Sequence, residues 1–179
     1  CPMTNRSTKT PDPAPDPSPR RFPHLGFRMD EEMTGWHEFL PGEGPAGRLP
    51  FSFQVAWGVR DFRECLRWDQ GRPHLVVPLE GVVRAGGLCA EAPCRGTLDL
   101  RYLVDRRLVY DFTFACGDRE FHYVGQKVNV LPHNLPVSHT TCFGTLTDAG
   151  SGRLLSRGVT HFRLRTLPAF LASFRPRLG

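Results

Sequence analysis

At 179 residues, with 40% hydrophobic and 23% charged residues, the chain has material for one domain around one core. No run approaches the ~18 apolar residues that cross a bilayer as a helix. The formal charge of +5 and the pI near 9.1 come from arginines interspersed with Asp and Glu, not from a basic block, so a surface that tracks a phosphate backbone is not expected. The preference for Arg, Pro, Gly and Ala also fits a GC-rich bacterial genome.

Residues 1–23 read as a disordered tail. In Pro11-Asp-Pro-Ala-Pro-Asp-Pro-Ser-Pro19 every second residue lacks an amide donor and has a fixed φ, so the segment cannot join a sheet. Residues 24–179 read as a single domain. A first strand is predicted over 26–39, followed by a Gly/Pro loop, Pro41-Gly-Glu-Gly-Pro-Ala-Gly47. In the second, over 49–57, Phe51, Phe53, Val55 and Trp57 alternate with Ser52, Gln54 and Ala56. Asp61 caps a short predicted helix over 62–70, with Gly71 as its stop.

The rest is nearly all strand. A third is predicted over 74–85, a fourth over 97–104, and a fifth in which Leu108, Tyr110, Phe112 and Phe114 share a face. A sixth is predicted over 119–130, a seventh over 138–147 and an eighth over 154–165, with turns at Asp105-Arg-Arg, Gly117-Asp and Asp148-Ala-Gly-Ser-Gly152 and a loop at Leu131-Pro-His-Asn-Leu-Pro136. A final helix is predicted over 167–174, capped by Thr166 and stopped by Pro176. Eight strands with short turns remove their edges by closing, so the expected fold is all-β: an antiparallel, up-and-down, lipocalin-like barrel with one short inserted helix and one C-terminal helix. A two-layer sandwich needs longer crossovers.

Six cysteines, at 1, 65, 89, 94, 116 and 142, have irregular spacing and no CxxC, which does not suit zinc; Cys89 and Cys94 flank an Ala-Glu-Ala-Pro loop and would bridge only if it were a hairpin end. Buried thiols in a reducing cytoplasm are the plainer expectation. Met3 reads as the native start; a lipid anchor on Cys1 of a secreted form is the alternative. Gly42-Glu-Gly44-Pro-Ala-Gly47 has the letters of a dinucleotide loop, but a strand follows where the pyrophosphate needs a helix. His37, His122, His133, His139 and His161 lack metal-ligand spacing, and no nucleophile elbow or reactive-cysteine signature occurs. No metal or cofactor is expected.

Lys127 is the only lysine beyond the tail. A period of two places Phe121, Tyr123, Gly125, Lys127 and Asn129 on one face, and His122, Val124 and Gln126 on the other. If it faces inward, a cation in a low-dielectric place needs a carboxylate, backbone or ligand oxygen, or a lowered pKa. Tyr102, Tyr110, Asp111, Tyr123, Thr141 and Thr160 are candidate neighbours.

Several short pieces resemble, in order, an accessory domain found beside or fused to sterol-oxidase-like flavoproteins of the glucose–methanol–choline oxidoreductase type. They are Phe27-Arg-Met-Asp-Glu-Glu-Met-Thr-Gly35, similar to that domain's F-x-E-x-M-x-G opening, Phe51-Ser-Phe53, Asp61-Phe62 and Val109-Tyr-Asp-Phe-Thr-Phe114. Gly125-Gln-Lys127, Thr140-Thr141, Gly158 and Leu167-Pro-Ala-Phe-Leu-Ala-Ser-Phe174 complete the set. The resemblance implies a module that handles lipid- or sterol-like molecules beside an oxidoreductase partner. It brings no catalytic residues, and these 179 residues contain no flavin-binding region.

Three functions are therefore expected, in order. The first is a barrel binding an apolar, lipid- or sterol-like molecule, with Lys127, Tyr123, Tyr102, Tyr110, Phe112, Phe114, Thr141 and Thr160 as ligand residues. The second is a cofactor-independent cyclase or isomerase acting on a polyketide- or terpenoid-like substrate, with Lys127, Tyr123 or His122 polarising a carbonyl or moving a proton. The third is a structural domain that docks onto a protein.

Overall fold

The computed structural model describes residues 25–128, 141–162 and, as backbone, 175–178. The tail over 1–23, the loop over 131–136 with His133, His139, and the C-terminal helix expected over 167–174 lie outside the described residues. The elements are β1 (Leu25–Phe39), β2 (Arg48–Val59), α1 (Phe62–Cys65), β3 (Leu66–Asp69), β4 (Arg72–Ala85), β5 (Cys89–Arg101), β6 (Arg107–Cys116), β7 (Arg119–Lys127), β8 (Thr141–Asp148), β9 (Leu154–Phe162) and β10 (Arg175–Leu178).

Eight strands hydrogen-bond antiparallel in the order β1-β2-β4-β5-β6-β7-β8-β9, and β9 returns to β1, from Met33↔Phe162 to Phe39↔Ser156. The chain is thus an all-β protein built on a closed eight-stranded antiparallel barrel. Closure satisfies both edges of the sheet. The remaining strands hang on the wall, β3 on β4 and β10 on β1. β1 pairs with β2 over 27–38 but with β9 only over 33–39; its earlier part runs past the closed ring and pairs with β10.

The alternation read from sequence selects the inner face. Phe27, Met33, His37 and Phe39 of β1, Phe51, Phe53 and Val55 of β2, and Tyr110, Phe112 and Phe114 of β6 are all buried. Rings meet across the middle of the barrel: Phe112 and Tyr123 at 4.8 Å between centroids, Phe51 and Tyr123 at 5.0 Å, and Phe53 with both Tyr110 and Phe112 at 5.4 Å. Gly144 and Gly125 make room for them. A Cβ on Gly144 would fall 2.3 Å from the Tyr123 hydroxyl, and one on Gly125 would fall 2.7 Å from it. Gly125 therefore seats Tyr123.

Two expectations are corrected. The helix over 62–70 is one turn, Phe62–Cys65; Asp61 caps it, its carboxylate accepting from the Arg63 amide at 3.0 Å. Leu66 turns extended, and Gln70 and Gly71, at φ 49° and 72°, form the two-residue turn that sends β3 back along β4. One turn is too short to resist a hairpin that gains ladder bonds. The segment 89–94 is strand, not loop: β5 begins at Cys89, and its first residues pair with β4 alone, a setting that tolerates Pro93. Cys89 and Cys94 are five residues apart on one strand, about 16 Å at the usual rise, so they cannot bridge each other.

Candidate functional site

Lys127, the last residue of β7, points into the barrel with Glu31 of β1 against it: Nζ lies 2.6 Å from Oε1, and the side chains are 3% and 5% exposed. The other carboxylate oxygen, Oε2, accepts from the Tyr110 hydroxyl at 2.8 Å and from Trp57 Nε1 at 3.3 Å. The lysine also lies 5.2 Å from the Tyr110 ring centroid and 5.9 Å from that of Phe162. Four strands, β1, β2, β6 and β7, supply the ion pair and its hydrogen-bond donors, and β9 adds Phe162. Sequence gives Glu31 no short-range partner; closure of the barrel provides one. Burial, and then the Glu31 carboxylate, push the Tyr110 hydroxyl well above its usual range, so it stays protonated and donates.

Below the pair lie Cys142, Tyr123 and Thr160. The Tyr123 hydroxyl and Cys142 Sγ are 3.8 Å apart, and Thr160 Oγ1 faces the tyrosine outside hydrogen-bond geometry, without a partner among the described residues. Burial raises Tyr123 well above its usual range and takes Cys142 to about 11 despite the nearby Lys127 ammonium. This level is a neutral, sealed layer.

The wall above Lys127 is apolar. Leu66 and Trp68 of β3 stand opposite Leu75 and Pro73 of β4, and Leu100 of β5 opposite Leu75, so the inward-facing row continues past the closed ring. Phe62 of α1 stacks on Phe27 at 5.1 Å. Together Phe62, Leu66, Pro73, Leu75, Leu100, Tyr102 and Leu103, with Arg63 and His74, line an open cleft of about 550 Å³. Leu66, Trp68 and Leu103 are 40%, 67% and 63% exposed, an unusual concentration of apolar surface. Tyr102 lines the cleft and is part exposed, yet burial and then the Glu31 charge push its hydroxyl up to about 12.

Of the residues proposed from sequence, Lys127, Tyr110, Tyr123, Phe112, Phe114 and Thr160 face inward and Tyr102 stands at the rim. Phe114 belongs to the far end, stacked on Phe121 at 5.4 Å. Thr141 and His122 are on the outer face. Thr141 Oγ1 lies 3.2 Å from His161 Nδ1, and His122 Nε2 lies 2.8 Å from Asp111. Strand alternation places them there, since their neighbours Cys142 and Tyr123 point inward. Lys127, Tyr123 and His122 therefore do not converge on one point. Glu31 was missed, although it occupies the apolar register of β1 between Met29 and Met33; an acid in that register was the available signal.

Among the described residues, cavities of about 740, 620, 620 and 550 Å³ lie on the wall or at its end, and none of these four is lined by Phe112, Phe114 or Tyr123. The space these residues were expected to enclose is occupied by their own rings. Among the described residues no three His, Cys, Asp or Glu side chains form a metal-binding group, and no helix is long and apolar enough to cross a membrane.

At the opposite end His37 is buried between Ser156 Oγ, 2.9 Å from Nδ1, and the Gly86 carbonyl, 2.9 Å from Nε2. A carbonyl only accepts, so Nε2 carries the proton and the serine hydroxyl donates to Nδ1. The pair resembles a nucleophile and its base, but both side chains are sealed from solvent, and burial lowers the imidazole pKa.

Scanned against protein-family models, curated proteins and solved structures, the chain matches none.

Proposed function

We propose that the chain binds an uncharged amphiphile, a sterol-like or long-chain alcohol, at the Lys127 end of the barrel. The supporting observation is the largely apolar cleft at the end of the barrel that holds the buried Glu31–Lys127 pair, with the Tyr102 hydroxyl on its wall in the field of Glu31. The apolar body lies along Leu66, Leu75, Leu100 and Leu103, where burial contributes roughly 25 cal/mol per Å². The polar head turns toward Tyr102 and the ion pair. Glu31 already neutralises Lys127, so a carboxylate head would bring an unpaired charge into a desolvated place, whereas a hydroxyl or carbonyl brings none. This keeps the lipid-like ligand expected from sequence and moves it from the middle of the barrel to its mouth.

The test is titration with a fluorescent sterol analogue and, separately, a fluorescent fatty acid. The sterol should bind more tightly, and L66D and L103D, both at exposed positions, should weaken it at least ~10-fold by placing a charge in the cleft. Failure of both probes, or binding indifferent to both substitutions, would overturn the reading.

The ring-filled interior favours one other function, protein docking. An outer groove of about 620 Å³ on β1, β7, β8 and β9 carries Trp36, Val124, Val128, Phe143 and Val159, with Phe143 55% exposed. F143D would abolish partner capture in that case and leave sterol binding unchanged.

A further inference from the structure

The β4–β5 turn that precedes Cys89 meets a second thiol at the end of β6. Cys89 opens β5 and Cys116 closes β6, the next strand, at the His37 end of the barrel. Cys116 Sγ donates to the Leu88 carbonyl at 3.1 Å, which holds its sulfur against the turn preceding Cys89, one residue from that thiol. All five described cysteines are free. Cys65, Cys94 and Cys142 are buried, whereas Cys89 and Cys116 are half-buried and within reach of a small oxidant.

We propose that Cys89 and Cys116 are a dithiol that closes reversibly to a disulfide. A thiolate of the pair attacks a low-molecular-weight disulfide such as oxidised glutathione, forming a mixed disulfide and releasing one glutathione thiol. The second protein thiolate then displaces the bound glutathione. The protein loses two protons and two electrons, and both electrons leave on two glutathione thiols. Burial, and then the neighbouring Cys116 thiol, push the Cys89 thiol up to about 11. Cys89 therefore supplies little thiolate at neutral pH. The bond staples the β4–β5 turn to the end of β6. That turn carries the Gly86 carbonyl on His37, so oxidation also fixes the histidine's partner in place.

The experiment uses the full chain, reduced and then equilibrated at graded ratios of reduced to oxidised glutathione, with free thiols trapped by alkylation and peptides mapped by mass. Oxidised protein should yield one linked peptide pair joining Cys89 to Cys116, lighter by two hydrogens. Its thermal midpoint should rise by roughly 5–10 °C, because the cross-link restricts the unfolded chain. C89S and C116S should each abolish the rise. The proposal is overturned if both cysteines stay alkylatable in fully oxidised buffer, if the bridge maps to another pair, or if the rise persists in C116S. Mapping of the unaltered protein decides the matter even if a serine variant fails to fold.

Discussion

Removing one member of the Glu31–Lys127 pair should damage the protein far more than removing both charges. In K127M the Glu31 carboxylate stays where it is, 5% exposed, with only Tyr110 and Trp57 donating to it. An unpaired buried charge costs ~3–5 kcal/mol. E31Q strands the Lys127 ammonium and should cost about the same. The double variant E31Q/K127M contains no buried charge, and its amide oxygen still accepts from Tyr110, so it should lose only ~1–2 kcal/mol. The singles sum to ~6–10 kcal/mol, a coupling of at least ~4 kcal/mol and a large fraction of the 5–15 kcal/mol that typically holds a domain. Urea unfolding followed by tryptophan fluorescence measures all four proteins, since Trp57 touches the site directly. If the singles do not fold and the double does, the conclusion is the same. A double variant as damaged as the sum of its parts would refute the reasoning, because the charges would then not share one desolvated space.

Two further tests probe the barrel's other levels. Burial lowers the His37 pKa below its ordinary 6.5, so the folded state binds fewer protons than the unfolded chain; stability is full above pH 6.5 and falls as the pH drops from there toward the lowered value, by up to ~1.4 kcal/mol per pH unit, and H37Q should remove that part of the slope in urea titrations run across the window. G144A drives a Cβ to 2.3 Å from the Tyr123 hydroxyl and should cost at least ~1–3 kcal/mol, a penalty that shrinks once Tyr123 is cut to alanine; an equal penalty in both backgrounds would show that the ring does not occupy that space.

Much of the architecture was legible in the residues. Phe51, Phe53 and Val55, and Tyr110, Phe112 and Phe114, announce their faces by simple alternation, and the turns at 105–107, 117–118 and 148–152 separate the strands. The same alternation is enough to put His122 and Thr141 outside, on the faces opposite Tyr123 and Cys142, and to flag Glu31 as an acid in an apolar row. Local signals failed where a longer-range gain opposed them. Asp61 starts a helix as its chemistry requires, but the turn at Gln70 and Gly71 recovers the chain for the sheet after four residues.

What the chain order alone determined is which side chains share a face, because a pleated strand turns each successive residue to the opposite side. What it left open is which inward residues meet, since partners such as Glu31 and Lys127, or Cys89 and Cys116, are distant in sequence and joined only by register. Closure of β9 on β1 decided the first encounter, and the approach of the end of β6 to the β4–β5 turn decided the second. The same closure turned the expected hollow into a stack of rings and left the apolar opening at the rim, because the space inside a barrel depends on how its side chains fit together and not on how many strands surround them.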